Sequence, residues 1–397
     1  MKVAGMRVCL PDEWKWAECS EVIDVRDGTH DTPKYVPDGF PLVTSKNLKP
    51  EGIDFSTVSY ISEADHIEVC KRSRVDKGDI LFAMIGTIGN PVLVDIDTDF
   101  SIKNVALFKF SESPIEPKYF KYLLETPIVQ RQLEFGTKGG TQKFVSLTVL
   151  RSLMIPFPPL AEQRRIAAIL DKADAIRRKR KQAIQYTEDL LRATFLDMFG
   201  DPVTNPKGWE VKPLGSLCTI VRGGSPRPIN DYLGGTVPWI KIGDATEDDE
   251  IYIYKTAEAI KPEGVKKSRY LEPGSLIFAN CGVSLGFARI LKIGGCIHDG
   301  WLAFSDLDDS LNQIFLLKLL NSITEYFRSI APDGTQPNLN TTIMKNFEIP
   351  VPPIELQEKF LEVSHYLTGS IQKCSEMSCE SENLFNSLLQ RAFRGEL

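Results

Sequence analysis

The sequence predicts an α+β protein made of two similar domains. They are joined by a pair of long antiparallel coiled-coil helices, with a pseudo-two-fold relation arising from internal duplication. Three observations carry this expectation. The first is a repeated motif: Gly140-Thr141-Gln142 leads into Ile155-Pro156-Phe157-Pro158-Pro159-Leu160 and Gln163, and Gly334-Thr335-Gln336 leads into Ile349-Pro350-Val351-Pro352-Pro353-Ile354 and Gln357. Thr141 and Thr335, Ile155 and Ile349, and Gln163 and Gln357 all stand 194 positions apart. The second is that the match continues outward, through Trp14 and Trp209, Gly28 and Gly223, and 77–83 against 273–279. The third is that each motif opens a long stretch of helix-forming residues. A solenoid repeat spans roughly 20–50 residues, far less than this period. The unit that has been duplicated is a whole domain with its connector.

The first domain, 1–157, reads as short β-like runs between turn signals, at 41–43, 79–83, 92–94 and 105–108, with a turn at Gly86-Thr87-Ile88-Gly89. The second, 200–351, repeats them at 237–240, 275–278 and 301–304, with a turn at Gly282-Val283-Ser284. Helices are predicted over 119–134 and 313–330. Each domain is expected to hold a twisted, mostly antiparallel sheet.

The connectors, 158–199 and 352–397, read as long helices. Between Leu160 and Met198 there is no Gly or Pro, and the preceding Pro-Pro pair suits a helix entrance. Ile169, Ile176, Ala183 and Leu190 recur every seven residues. In the second helix Phe360, Leu367, Cys374 and Leu388 hold one heptad line and Val363, Met377 and Leu384 the other, with Gly369 the weak spot. That pattern predicts a narrow coiled-coil seam on each helix. The charges are opposite: nine basic against six acidic residues over 158–200, and four against seven over 353–397. The two helices are therefore expected to pair with each other, domains at opposite ends of a rod. Arg177 to Lys181 read first as a solvated helix face, and the same charges could also meet phosphates or pair with the acidic helix. A helix of about 37 residues is roughly 55 Å long, comparable to one and a half turns of B-DNA.

Composition narrows the function classes. The chain has 397 residues, 42% hydrophobic and 25% charged, with a net charge of −6. No apolar run reaches the roughly 18–20 residues that span a bilayer, and no export signal is expected from the N-terminus. A cytoplasmic location is expected, with reduced cysteines. Four scattered histidines and no CxxC pair give no metal site. Catalytic motifs are missing too: no GxGxxG, no GxxxxGK[ST], no GxSxG, and no Asn-Pro-Pro-aromatic tetrapeptide. Pro11-Asp12-Glu13-Trp14-Lys15 superficially evokes a nuclease cluster, but its carboxylates crowd one short segment and the second copy lacks them. The chain is expected to be no enzyme, with no catalytic residues and no cofactor of its own. An acidic net charge alone argues against nucleic acid, since simple DNA binders carry a basic footprint.

Local composition argues the other way. Both copies place polar and basic residues on matching loops. In the first these include Arg26, Thr29, His30, Lys34, Lys46, Asn47, Lys103, Asn104, Lys138, Gln142 and Lys143; in the second, Arg222, Ser225, Arg227, Lys241, Asp244, His298, Gln336 and Asn338. Cations position phosphates, and Arg, Lys, Asn and Gln read purine edges. Ordinary turn chemistry accounts for any one of these loops equally well, because duplication alone preserves turns.

Gly-Thr-Gln, then Ile-Pro-x-Pro-Pro-[Leu/Ile]-x-x-Gln, then a long helix, all occurring twice, resembles the specificity (S) subunit of type I restriction–modification systems. So do the joint Phe199-Gly200-Asp201-Pro202 and the ending Ala392-Phe393-Arg394-Gly395-Glu396-Leu397. The likeness covers essentially the whole chain. It implies two target-recognition domains on double-stranded DNA, each reading half of a split site. It also implies a helix pair that sets the spacer and docks two methylation subunits, with restriction subunits joining afterwards. S-adenosylmethionine, ATP and Mg would belong to those partners. Ile169, Ile176, Arg177, Arg178, Leu190, Phe360, Leu367, Met377, Leu384 and Leu388 are the residues expected to pair the helices or meet a partner. Two other readings of the same pattern are a scaffold or inhibitor that binds only proteins, and the specificity component of a fused methyltransferase–nuclease.

Overall fold

The computed structural model describes residues 2–3, 5–7, 10–136, 144–245, 251–282, 284–331 and 338–397. The chain packs as two compact units, Met1–Lys181 with Ser375–Leu397, and Gln182–Cys374. Each unit thus takes one half of each long helix. The reason is burial: Ile166, Ala167 and Leu170 share a core with Phe385, Leu389 and Phe393 in the first unit. In the second, Leu191, Phe195 and Phe199 share one with Phe360 and Leu367.

In the first unit an antiparallel sheet runs, in spatial order, Gly89–Leu93, Ile80–Ala83, Val105–Lys109, Asp24–Asp27. Its two central strands are buried along their whole length. Side chains alternate across a strand, so Ile80, Phe82, Ala106 and Phe108 enter the core beneath the helices. Leu81, Ala83, Val105 and Leu107 enter a smaller core with Val43 and Ile102. These two residues belong to a second sheet, ordered Ser101–Ile102, Phe40–Val43, Ser59–Ile61, Tyr35–Val36, whose first pair is parallel.

The second unit repeats the plan. Thr219–Arg222, Trp301–Ser305, Leu276–Ala279, Ala288–Leu291 and Tyr252–Ile253 make one sheet, and Glu258–Ile260, Leu233–Ile240, Gly295–Ile297 and Arg269–Leu271 the other. One element differs in kind. The first unit packs a helix, Glu63–Ser73, beside Ser101–Ile102 through a 2.9 Å contact from His66 Nδ1 to Ser101 Oγ. The second pairs the strand Arg269–Leu271 with Gly295–Ile297.

Each helix expected within a domain is in fact two. Pro127, which cannot supply the interior N–H, separates Pro117–Leu124 from Pro127–Gly136. Ile323, outside helical geometry at ψ 24°, separates Gln313–Ser322 from Thr324–Ile330.

The long helices run Leu160–Phe199 and Ile354–Ala392, the second unbroken through Gly369. In the first unit their halves run antiparallel: Arg165 reaches the Leu397 carbonyl at 2.8 Å, while Arg177 reaches Glu382 at 2.9 Å. The seam read from the sequence needs correction. Ile176 and Leu190 are 51% and 53% exposed, Ala183 is exposed too, and Ile169 is half-buried. Each stands one residue before the line that turns inward, Leu170, Arg177, Ile184 and Leu191. Val363, Met377 and Leu384 likewise lie outside, Leu384 at 58% exposure. Phe360 and Leu367 are buried and Leu388 packs on the core. The true second line of that helix runs through Ser364, Ser378 and Phe385. Inward positions include Asp174, Arg177, Ser364 and Ser381, so a search for apolar periodicity selects the neighbouring column.

The repeated glutamines are latches. Gln163 accepts from Glu116 N–H at 2.8 Å and donates to Pro158 O at 2.9 Å. Gln357 accepts from Asn312 N–H at 2.8 Å and donates to Pro352 O at 2.7 Å and Ser310 O at 2.8 Å. Both are fully buried and tie the helix entrance to the loop before the domain's own helix. The helix ends are duplicated as well. Gly200 sits against Pro206 and Gly395 against Pro11, both glycines at positive φ, 79° and 72°.

Candidate nucleic-acid interface

Two turns meet at one edge of each unit. In the first, the chain leaves Asp24–Asp27 through Gly28, and Thr29 N–H donates to Ile102 O at 3.0 Å. In the second, it leaves Thr219–Arg222 through Gly223, and Gly224 N–H donates to Ile297 O at 3.0 Å. A Cβ on Gly28 would lie 2.2 Å from the Ile102 oxygen, and one on Gly223 would lie 2.2 Å from the His298 oxygen. Only glycine allows so close an approach, which explains why this residue matches between copies.

The paired turns carry a polar cluster. In the first unit His30 Nε2 meets Asp27 Oδ2, and His30 Nδ1 meets Asn104 Oδ1, both at 2.9 Å. Asp27 is buried and also receives Arg72. Arg26 pairs with Asp24 and donates to the Arg72 carbonyl at 3.2 Å. Lys103 bonds Thr32, while His30 keeps 59% of its side chain exposed. In the second unit Ser225 donates to Asp299 Oδ1 at 2.7 Å, and His298 Nε2 meets the same oxygen at 2.9 Å. Gly300 N–H donates to His298 Nδ1 at 2.9 Å, so this histidine is the Nε2–H tautomer. Burial holds His298 below the ordinary imidazole range, against the pull of Asp299. Burial pushes Asp299 up, but the Ser225 bond and the neighbouring His298 and Arg222 outweigh it and hold the carboxyl low. Arg222 donates to the Asp299 carbonyl at 2.8 Å, and exposed Arg227 stands 3.7 Å from Asp299 Oδ2.

The structure therefore gathers Arg26, Thr29, His30, Lys103 and Asn104 in one cluster and Arg222, Ser225, Arg227 and His298 in the other. Lys34 and Lys46 are exposed nearby on the chain. Asn47 and Asp244 do different work. Asn47 is buried, accepts from Thr44 N–H at 2.9 Å and donates to Asp54 O at 3.1 Å. Asp244 accepts from Lys241 N–H at 2.7 Å and Ala257 N–H at 2.8 Å. Both shape the same short turn after a strand, so their polar atoms are spent on backbone. Lys241 pairs with Glu258 beside the Trp239 ring. Asn338 accepts from Asn280 at 2.9 Å. Lys138, Gln142, Lys143 and Gln336 lie outside the described residues.

Sequence reasoning places Asp27 and Asp299 on the matching loops without choosing them as candidates, and it misses Arg72. Arg72 lies on a helix that the second copy shortens to the single turn Pro262–Val265, so no repeat pointed to it. Among the described residues no group of three or more His, Cys, Asp or Glu could hold a metal ion, and no helix is long and apolar enough to cross a membrane.

Two mixed helix-and-sheet units on one duplicated plan, each bearing a polar cluster on paired turns, define a two-domain protein built by internal repeat. The model of the type I restriction modification DNA specificity domain matches it twice, over 11–186 and 206–373, and the chain belongs to that family of type I specificity subunits. It is 22% identical to the type I restriction enzyme MjaIX specificity subunit of Methanocaldococcus jannaschii, over 98% of this chain and 94% of that one. Its fold is shared with a chain from a structure of the type I R-M system, with a TM-score of 0.60 at 21% identity, covering 98% and 100% of the two chains. The type I S subunit from M. genitalium gives 0.58 at 17% identity, covering 99% of each.

Proposed function

We propose that this chain is the DNA-reading, non-catalytic part of a type I complex, each unit recognising one half of a bipartite double-stranded site. The observation that carries this reading is the duplicated pair of turns. The scaffold that pins them is the same in both units, while the side chains they display differ, as two readers of different half-sites require. Methyl transfer and cleavage would belong to methylation and restriction subunits, which would bring S-adenosylmethionine, ATP and Mg.

The long helices would set the spacer between the half-sites. Forty residues of the first helix span about 60 Å at 1.5 Å per residue. Their outward faces would dock the methylation subunits. Apolar residues left exposed there, Ile176, Tyr186, Leu190, Tyr366, Met377 and Leu384, suit a protein partner better than water. The test is to purify the chain alone and with its methylation subunits, adding S-adenosylmethionine and DNA. The complex should methylate a split sequence and the chain alone should transfer nothing; methylation by the chain alone would refute the reading.

A further inference from the structure

The two units close their paired turns with an equivalent bond made from different chemistry. His30 and Asn104 are 74 residues apart, and so are Ser225 and Asp299. The second turn holds one residue more before its strand, since Val105 and Trp301 take the same place opposite Ala83 and Ala279. Behind each bond the polarity inverts. Asp27, opposite Ala106 in its ladder, holds the place that Arg222 holds opposite Leu302. At the tip, Asn104 is a neutral amide in left-handed backbone at φ 54°, able to donate and accept. Asp299 is an acceptor-only carboxylate. Its Oδ1 is taken by Ser225 and His298, its Oδ2 has Arg227 at 3.7 Å, and 31% of its side chain is exposed.

We propose that positions 104 and 299 are the equivalent base-reading positions of the two units, Asp299 requiring a base that presents an amino group in the major groove. This rests on the DNA-reading role proposed above. Cytosine N4 and adenine N6 offer such a group, whereas guanine offers O6 and N7 and thymine O4, all acceptors. A carboxylate facing those leaves acceptor against acceptor, and the wrong base is disfavoured about 5- to 150-fold. Asn104 carries no such restriction: His30 meets its Oδ1 at 2.9 Å, and the amide still offers its NH2 as a donor beside that oxygen. Arg227, beside Asp299 Oδ2, and Arg222, on the Asp299 carbonyl, are cations that can hold phosphate next to it.

The experiment expresses the full chain with the methylation subunits of its own system and maps methylated positions across a genome. Wild type should give a bipartite motif, and its absence would sink the DNA-reading role itself. Given that motif, Asp299→Asn should admit guanine or thymine at least fivefold more often at one position of one half. Asn104→Asp should narrow one position of the other half to cytosine or adenine. Asn104→Gly keeps the left-handed backbone, deletes the side chain and should relax that same position. If the folded variants, checked by thermal melting, leave the motif unchanged or weaken all positions evenly, the base-reading assignment is overturned while the DNA-reading role stands.

Discussion

Arg177 donates to Glu382 across the helix pair of the first unit at 2.9 Å, with its guanidinium 4.3 Å from the centre of the Phe385 ring. The same side chain bonds Asp174 on its own helix at 2.6 Å. A basic helix and an acidic helix meet here, and Lys181 reaches the same Glu382 at 3.4 Å. Arg177→Ala should destabilise the chain by about 2 kcal/mol in urea unfolding, since it removes charged hydrogen bonds and leaves Asp174 buried with Arg178 alone. Exchanging the pair, Arg177→Glu with Glu382→Arg, should recover less than half, because Asp174 then faces a like charge. Full recovery would show that Asp174 contributes nothing.

Asp174 also gives the chain an acid-sensitive joint. Burial pushes its carboxyl up, but the bonds and charges of Arg178 and Arg177 outweigh burial and hold it below the usual carboxylate range. A lowered folded value means the stabilisation is fully present above the ordinary carboxylate pKa of about 4. It is lost as pH falls through the folded value. Thermal midpoints of wild type and Asp174→Asn should therefore differ at pH 7 and converge as the pH falls below the ordinary carboxylate range. A constant gap down to pH 2 would contradict this.

The glutamine latches should fail locally. Gln163→Ala unpairs the Glu116 N–H and Gln357→Ala the Asn312 N–H, at about 1–3 kcal/mol for each buried group left unsatisfied. Hydrogen exchange should accelerate around 114–118 in the first variant and 310–314 in the second. Acceleration shared equally by both regions in either variant would argue against separate latches.

Gly28→Ala tests the paired turns. A Cβ 2.2 Å from the Ile102 oxygen must push the two turns apart and break the His30–Asn104 contact. In the assembled complex we expect recognition of one half-site to fall at least tenfold, with the other half untouched. Gly223→Ala should do the reverse. Evenly reduced binding at both halves would mean that the turns serve the fold rather than recognition.

The duplication was legible because motifs such as Ile155-Pro156 and Ile349-Pro350 are turn and helix-entrance chemistry, which local sequence dictates. The long helices were legible for the same reason. The seam was not, because Asp174 and Arg177 occupy inward positions and Ile176 and Leu190 do not; satisfied charges imitate a surface. At the candidate interface, sequence marked the loops but could not separate Asn47, spent on its own turn, from Asn104, at the tip. That distinction lies in hydrogen bonds to residues far along the chain. Arg72 was invisible, since the matching helix of the second copy ends at Val265 and leaves no residue there to compare.

The central claim is that two units read independently. The measurement is a map of methylated sites across a genome after residues 1–157 are exchanged for the matching domain of a relative, in the presence of the methylation subunits. The account predicts that one half of the site changes while the other half is kept. The physical reason is that side chains at base edges set sequence while a helical rod sets only distance. Lengthening the 160–199 helix by one turn should then alter the spacer and neither half. Simultaneous change of both halves after the single exchange would contradict the account.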